Sequence, residues 1–154
     1  MNPRPFAFTA GTLLVLIGAA GFAPPLVSLE TDPLRQAAGV NHPQLFALFP
    51  VSEVLNGIHL ALGAWGILSG RSLNASITYA RQAAIVGFLL MLFGMIPGLD
   101  TLFGLAPLYG NNLLLHGALA LLGFLFGWLY RRPRRQADAD ADDDYDHDDE
   151  AYEG

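Results

Sequence analysis

Hydrophobic and polar positions alternate in long blocks along this chain, and the blocks predict helices of membrane length. Between Pro5 and Leu29 no residue is charged, and Phe6–Val27 supplies 22 mostly apolar residues, with Pro24-Pro25 near their end as a helix stop. At about 1.5 Å per residue such a run reaches about 33 Å, enough for a hydrocarbon core of about 30 Å. A second block enters through Leu45–Pro50 and closes at Ser69-Gly70-Arg71; a third ends at Pro97-Gly98. A fourth is broken by Pro107, Gly110 and Asn111-Asn112 before running on to Tyr130. The predicted spans are residues 6–27, 50–69, 79–96 and 111–130, with Leu102–Leu108 as a loop or interfacial segment. Residues 71–81 read as a short polar turn, and residues 28–44 as a longer polar connection with room for a short helix at Pro33–Ala38. The fold class expected is all-α: an antiparallel four-helix bundle in a membrane, residues 1–135, followed by an acidic tail.

The second block carries the most informative pattern. Ser52, Asn56, His59, Gly63, Gly66 and Gly70 follow one another at spacings of 4, 3, 4, 3 and 4, which places all six on one helical face. A stripe of polar and then small residues on an apolar helix is a surface for other helices rather than for lipid. Pro50 is expected in or just before the first turn, where its missing N–H costs least. The fourth block repeats the order, with Asn112, His116, Ala120, Gly123 and Gly127 on one face. Both spans run in the same direction, so two inward faces of similar chemistry are expected to meet. In the first block Gly11, Gly18 and Gly21 flatten one side for close packing.

Composition narrows the class further. With 53% hydrophobic and 14% charged residues, the chain is too apolar for an ordinary soluble domain. It has no cysteine, which excludes disulfides, thiolate metal sites and thiol catalysis. The net charge of −6 belongs to the tail: ten of the fourteen acids lie between Asp138 and Gly154. The body keeps eight arginines against Glu30, Asp32, Glu53 and Asp100. Seven arginines (Arg4, Arg71, Arg81, Arg131, Arg132, Arg134, Arg135) fall on one side of a four-span arrangement and only Arg35 on the other. That asymmetry predicts an inner (plasma) membrane protein with both termini cytoplasmic. Trp128 and Tyr130 beside Arg131 read as an interfacial belt. Residues 136–154 are too polar and too repulsive to fold and are expected to be disordered. A signal-peptide reading of the first block competes: Arg4 as the basic flank, Ala19, Ala20 and Gly21 near a cleavage point. Against it, the apolar run is longer than such peptides use.

Ionisable side chains at membrane depth point to function by default, and three occur: Glu53, His59 and His116. Glu53 falls in the first turn of its helix, where an acid is favourable, and lies about 240° around from His59. The remaining candidate cluster is Ser52, Asn56, His59, Asn112 and His116. In the structural reading, imidazoles and amides tie helices together at about 0.5–2 kcal/mol per bond. A small-molecule or ion site is the second reading. Bis-histidine haem ligation is the third, and it needs the rings to face each other across a haem-wide gap, although His116 lies nearer the outer surface. A two-histidine metal site lacks an acid at matching depth. No nucleophile–base–acid set, phosphate loop or dinucleotide fingerprint is present, so no catalytic residue, metal site or cofactor is assigned.

The same residues resemble the bacterial four-span membrane proteins grouped as domain of unknown function 4383. LFALFPVSEVLNGIHLALGAWGIL is similar to that family's leucine/phenylalanine-rich opening, paired Asn-x-x-His core and glycine-rich exit. Asn56 and His59 match the second Asn-x-x-His pair; Ser52 stands where the family usually has asparagine and Leu55 where it has its first histidine. Pro107-Leu108 and Leu115-His116 match in the fourth span, with Asn112 at a position often held by aspartate. The resemblance covers roughly residues 6–130 and implies four helices with polar faces in spans two and four; it implies no activity. Three function classes follow: a structural or accessory membrane protein, a small transport or ligand-binding unit, and a haem- or quinone-linked redox accessory. The partners expected are the bilayer and a second copy or another membrane protein against the glycine-rich faces, with no nucleic acid.

Overall fold

The computed structural model describes residues 2–29 and 41–130. The Pro33–Ala38 segment, Arg35, the basic run from Arg131 and the acidic tail lie outside the described residues. Four helices carry the fold: α1 (Pro3–Ala20), α2 (Glu53–Ser69), α3 (Leu73–Met95) and α4 (Asn112–Trp128). Each begins where a cap or a turn residue allows. The Asn2 side chain accepts from the Arg4 N–H at 3.0 Å, Ser52 from Leu55 at 3.2 Å, and Ser72 from Ala75 at 3.2 Å. These bonds satisfy amide donors that the helix itself leaves open. Two helices, α1 and α3, are long and apolar enough to cross a membrane; α4 is apolar but shorter.

Glycine decides how the helices pair. In the α1–α2 pair, a methyl group on Gly11 would lie 2.6 Å from the Gly63 carbonyl oxygen, and one on Gly63 would lie 2.6 Å from the Gly11 carbonyl oxygen. Gly18 meets the Asn56 backbone in the same way. In the α3–α4 pair, Gly87 abuts the His116 carbonyl and Gly123 abuts that of Ala80. At these crossings the helices of each antiparallel hairpin meet backbone to backbone. Each is latched at the same end by an arginine. Arg4 donates from Nε to the Gly70 carbonyl (3.1 Å) and from Nη2 to that of Arg71 (2.9 Å), and Arg81 Nε donates to Gly127 (2.8 Å). Cations at these helix C-termini satisfy open carbonyls and oppose the helix dipole.

The hairpins then dock on each other. One apolar cluster joins Phe6, Ala7, Leu14, Tyr79, Ala83 and Leu119; a second joins Leu55, Ala106 and Leu108. His59 lies between Leu55 and Leu62 on α2, and His116 between Leu108 and Leu119, so a polar layer separates the two clusters.

At the other end of the bundle the chain builds a small cap that its hydrophobic pattern does not announce. Val27–Ser28, Gln44–Leu45 and Phe49–Pro50 form strands β1, β2 and β3, an antiparallel sheet in the order β1-β2-β3. The β2–β3 turn places Phe46 and Ala47 at φ of 52° and 56°. Two left-handed residues match the twist of a tight hairpin, yet neither is the glycine or asparagine that advertises such a turn. The predicted element boundaries change accordingly. The first helix ends at Ala20, before Pro24–Leu26 makes a 3-10 turn, not at residue 27. The second begins at Glu53 because Pro50 belongs to β3 and Ser52 is the cap. The third begins at Leu73, since Ser72 caps residues read as a polar turn. The fourth agrees with the prediction to within two residues, and residues 97–111 form the expected loop.

The seam makes a direct prediction. Gly11→Leu should destabilise the fold by at least about 1–3 kcal/mol, because backbone on the facing helix cannot move aside. Gly57, which has open space around it, should accept alanine with a gain of about 0.5–1 kcal/mol. Thermal unfolding of the two variants followed by circular dichroism checks both signs.

Candidate functional site

The polar stripe predicted on the second helix faces the interior. Asn56, His59, Gly63 and Gly66 are buried, while Ser52 and Gly70 cap the two ends. On α4 the buried face carries Asn112, His116, Leu119, Gly123 and Gly127. The two stripes do meet: the His59 and His116 rings lie 5.8 Å apart between centroids, inclined at 49°. By position along their helices His116 sits nearer the capped end than His59 does, but the ring separation shows that the two hairpins are offset enough to bring the tilted imidazoles side by side.

The hairpins are related chains of the same features. Gly11 and Gly18 on α1 and Gly87 and Gly94 on α3 are each seven apart. Each facing helix carries Asn, then His, then small residues, and each pair ends in an arginine latch. The two histidine rings meet across the space between the hairpins.

Satisfaction of the polar groups divides the cluster into two kinds. Asn112 is structural: its Nδ2 donates to the Pro50 carbonyl and to the Pro107 carbonyl, both at 2.7 Å. It ties β3 to the loop that precedes α4. Ser52 does related work, its hydroxyl donating to the Leu105 carbonyl at 2.8 Å. Asn111, one residue earlier, donates to Leu48 at 3.0 Å. The histidines are different. His59 is 2% exposed and His116 1%, and neither Nδ1 nor Nε2 of either ring has a protein partner. Asn56 Oδ1, pressed against the Gly21 backbone, is also without one. A neutral imidazole offers one donor and one acceptor, so the pair alone leaves two of each without a protein partner. Leaving a buried polar group unpaired costs about 1–3 kcal/mol.

Tyr79 completes the set and was not singled out by the sequence reading. Its ring packs edge-on to Trp65 at 5.6 Å and against Gly66, and its hydroxyl is buried without a partner. Gly66 lies seven residues beyond His59, about 10 Å further along α2. A tyrosine at the start of an apolar run reads as an interfacial belt residue, and only the helix pairing reveals that it points inward. Glu53 is the first residue of α2 and exposed, as an acid favoured in the first turn should be. It lines a cavity of about 250 Å³ with Gly21, His42, Ser52 and Asn56, so this cavity reaches the top of the polar column.

The geometry limits the chemistry. No group of three or more His, Asp or Glu side chains converges among the described residues. The two imidazoles pair at 5.8 Å between ring centroids inside the bundle, and no third His, Asp or Glu joins them among the described residues. Among known proteins, the family described as domain of unknown function DUF4383 matches residues 4–129. The chain belongs to that family. No curated protein and no solved structure matches it. In this DUF4383 member the match spans both hairpins, and Ser52, Leu55 and Asn112 have separate structural roles. Ser52 caps α2, Leu55 is buried in the apolar cluster with Ala106 and Leu108, and Asn112 pins two carbonyls.

Replacing Asn112 with alanine should cost about 2–3 kcal/mol, because two carbonyls lose a buried donor. Asn111→Ala, which removes one peripheral bond, should cost well under half of that. Equilibrium unfolding of the two variants checks the ratio.

Proposed function

We propose that this DUF4383 protein is a multi-pass membrane protein that holds a small polar solute or ion between His59 and His116. The observation that carries the reading is the set of four ring nitrogens buried without partners at the junction of the two hairpins. Were the histidines there to stitch helices together, they would bond to one another or to backbone, as Asn112 does. They do not, so their cost in stability is offset by a guest. The cavity above Asn56 and the Tyr79 hydroxyl below extend the polar line in both directions, in keeping with a binding or transport unit.

The membrane setting is supported by the inversion of polarity across the bundle. Asparagine, histidine, serine and glycine are buried, whereas Leu13, Leu16, Phe88, Leu114 and Leu121 lie on the surface. An outer surface of this kind suits acyl chains, and buried polar groups suit helix interfaces within them. Arg4, Arg71 and Arg81 belong to the latched end; Glu53 and Asp100 belong to the capped end. With the basic end cytoplasmic, both chain termini lie inside the cell. In the accessory role, in which the protein packs against another membrane partner, Gly11, Gly18, Gly63, Gly87 and Gly123 are already engaged within the chain, which leaves Gly57 and the Gly117 side of α4 as open small-residue surfaces.

Two experiments test this. Single cysteines at Asn2 and Phe103, in a chain with none of its own, should be reached by impermeant thiol reagent from opposite sides of the membrane. Labelling of both from one side contradicts the four-span arrangement. For the site, ring nitrogens labelled with nitrogen-15 should shift in His59 and His116 on titration with one of Cu⁺, Zn²⁺, ammonium or protons. The double variant His59→Leu/His116→Leu should lose that response and unfold no more easily than the wild type. No response to any titrant, with a marked loss of stability in the double variant, returns the histidines to a packing role.

A further inference from the structure

The outer surface of the α3–α4 hairpin is not smooth. Where Gly87 lets α4 approach, Ala84, Gly117 and Ala120 leave a trough, and Phe88, Leu121 and Phe124 rise on either side. The resulting groove has a volume of about 450 Å³ and is lined almost wholly by carbon. On α4 it runs from Gly117 to Trp128, eleven residues or about 16 Å. Half of a hydrocarbon core of about 30 Å is about 15 Å. The groove is one leaflet long.

Its inner end changes character abruptly. Trp128 closes the groove, and the Arg81 guanidinium lies 5.7 Å from the Trp128 ring. Arg81 donates from Nε to the Gly127 carbonyl, which orients the guanidinium, and the residue also lines a second cavity of about 330 Å³. Thr78, Asn74 and Tyr130 line that cavity, and its lining is mainly polar. No described carboxylate is near: Glu53 opens α2 at the far end of the bundle, and Asp100 follows the far end of α3. An apolar slot one leaflet deep thus ends in a fixed cation, an indole and hydroxyl groups at interfacial depth. That is the order of chemistry along an anionic phospholipid: acyl chain, glycerol, phosphate.

We propose that the α3–α4 groove is a binding site for one anionic phospholipid of the cytoplasmic leaflet, with its phosphate on Arg81 and one acyl chain over Ala84, Gly117 and Ala120. The inference rests on the membrane reading above and is independent of the histidine pair. Planar guanidinium recognition of a phosphate oxygen pair needs two parallel N–H groups, which the terminal amino groups supply. The lipid would cover the Gly87–Ala120 crossing from outside, so it would also brace the seam that positions His116.

The test uses the full chain in mild detergent, with retained lipid counted by native mass spectrometry after exchange into phosphatidylglycerol or phosphatidylcholine. The wild type should retain one phosphatidylglycerol per protomer with at least a roughly fivefold preference over phosphatidylcholine. Arg81→Gln, which keeps a donor for Gly127, should lose the preference but still hold lipid. Gly117→Leu, whose nearest neighbour is the flexible end of Met91, should fill the trough and lose both lipids while remaining folded. Equal retention of the two lipids by the wild type, or unchanged retention in Gly117→Leu, overturns the proposal. So does a wild-type dimer in which a cysteine at Phe124 cross-links to its copy, because a second chain then occupies the groove. Recovery of the protein without detergent would instead remove the membrane reading on which the site depends.

Discussion

Close contact of helix backbones is the constraint from which the other features follow. Where Gly11 meets Gly63 and Gly87 meets the His116 carbonyl, no side chain separates the two main chains. Such contact gains dispersion energy over a long seam. It also dictates what remains for the side chains. With the glycines consumed inside each hairpin, most large apolar residues turn outward, and between the hairpins two small apolar clusters flank a few polar residues of intermediate size. Asn56, His59, His116 and Tyr79 are among them.

That arrangement gives the polar layer its unusual standing. A buried imidazole in an ordinary core is bonded to a carbonyl or a carboxylate. Here the helices approach so closely that their carbonyls are committed to their own hydrogen bonds, and the described acids are at the capped end. The imidazoles have only each other and the gap between them. Asn112 shows that the same fold readily satisfies an amide when a loop carbonyl is within reach. The contrast between these neighbours is the physical ground for assigning one to architecture and the other to a guest.

Much of this was legible in the residues. The 4-3-4-3-4 rhythm from Ser52 to Gly70 placed Asn56, His59, Gly63 and Gly66 on one face, and that face is buried. The echo in α4 likewise turned inward. Periodicity works for these because helical geometry is local. It fails where the decisive contact is distant in sequence. Nothing around Tyr79 reveals that Gly66 and Trp65 will receive it, and the strands at Val27, Gln44 and Phe49 are two residues each, too short for any pattern. The turn at Phe46-Ala47 lacks the residues that mark left-handed backbone, so an apolar run concealed a hairpin. The arginine latches were visible only as charge asymmetry; their bonds to Gly70, Arg71 and Gly127 required the pairing.

The proposed site is a pair of buried imidazoles brought together inside a bundle proposed to lie in lipid. Solid-state magnetic resonance on the full chain in bilayers, with histidine rings labelled, measures this most directly. Ring-to-ring transfer between His59 and His116 at a separation near 5.8 Å, with no transfer from acyl chains to either ring, is the result expected. Rings too far apart for transfer, or either one in contact with acyl chains, would contradict it.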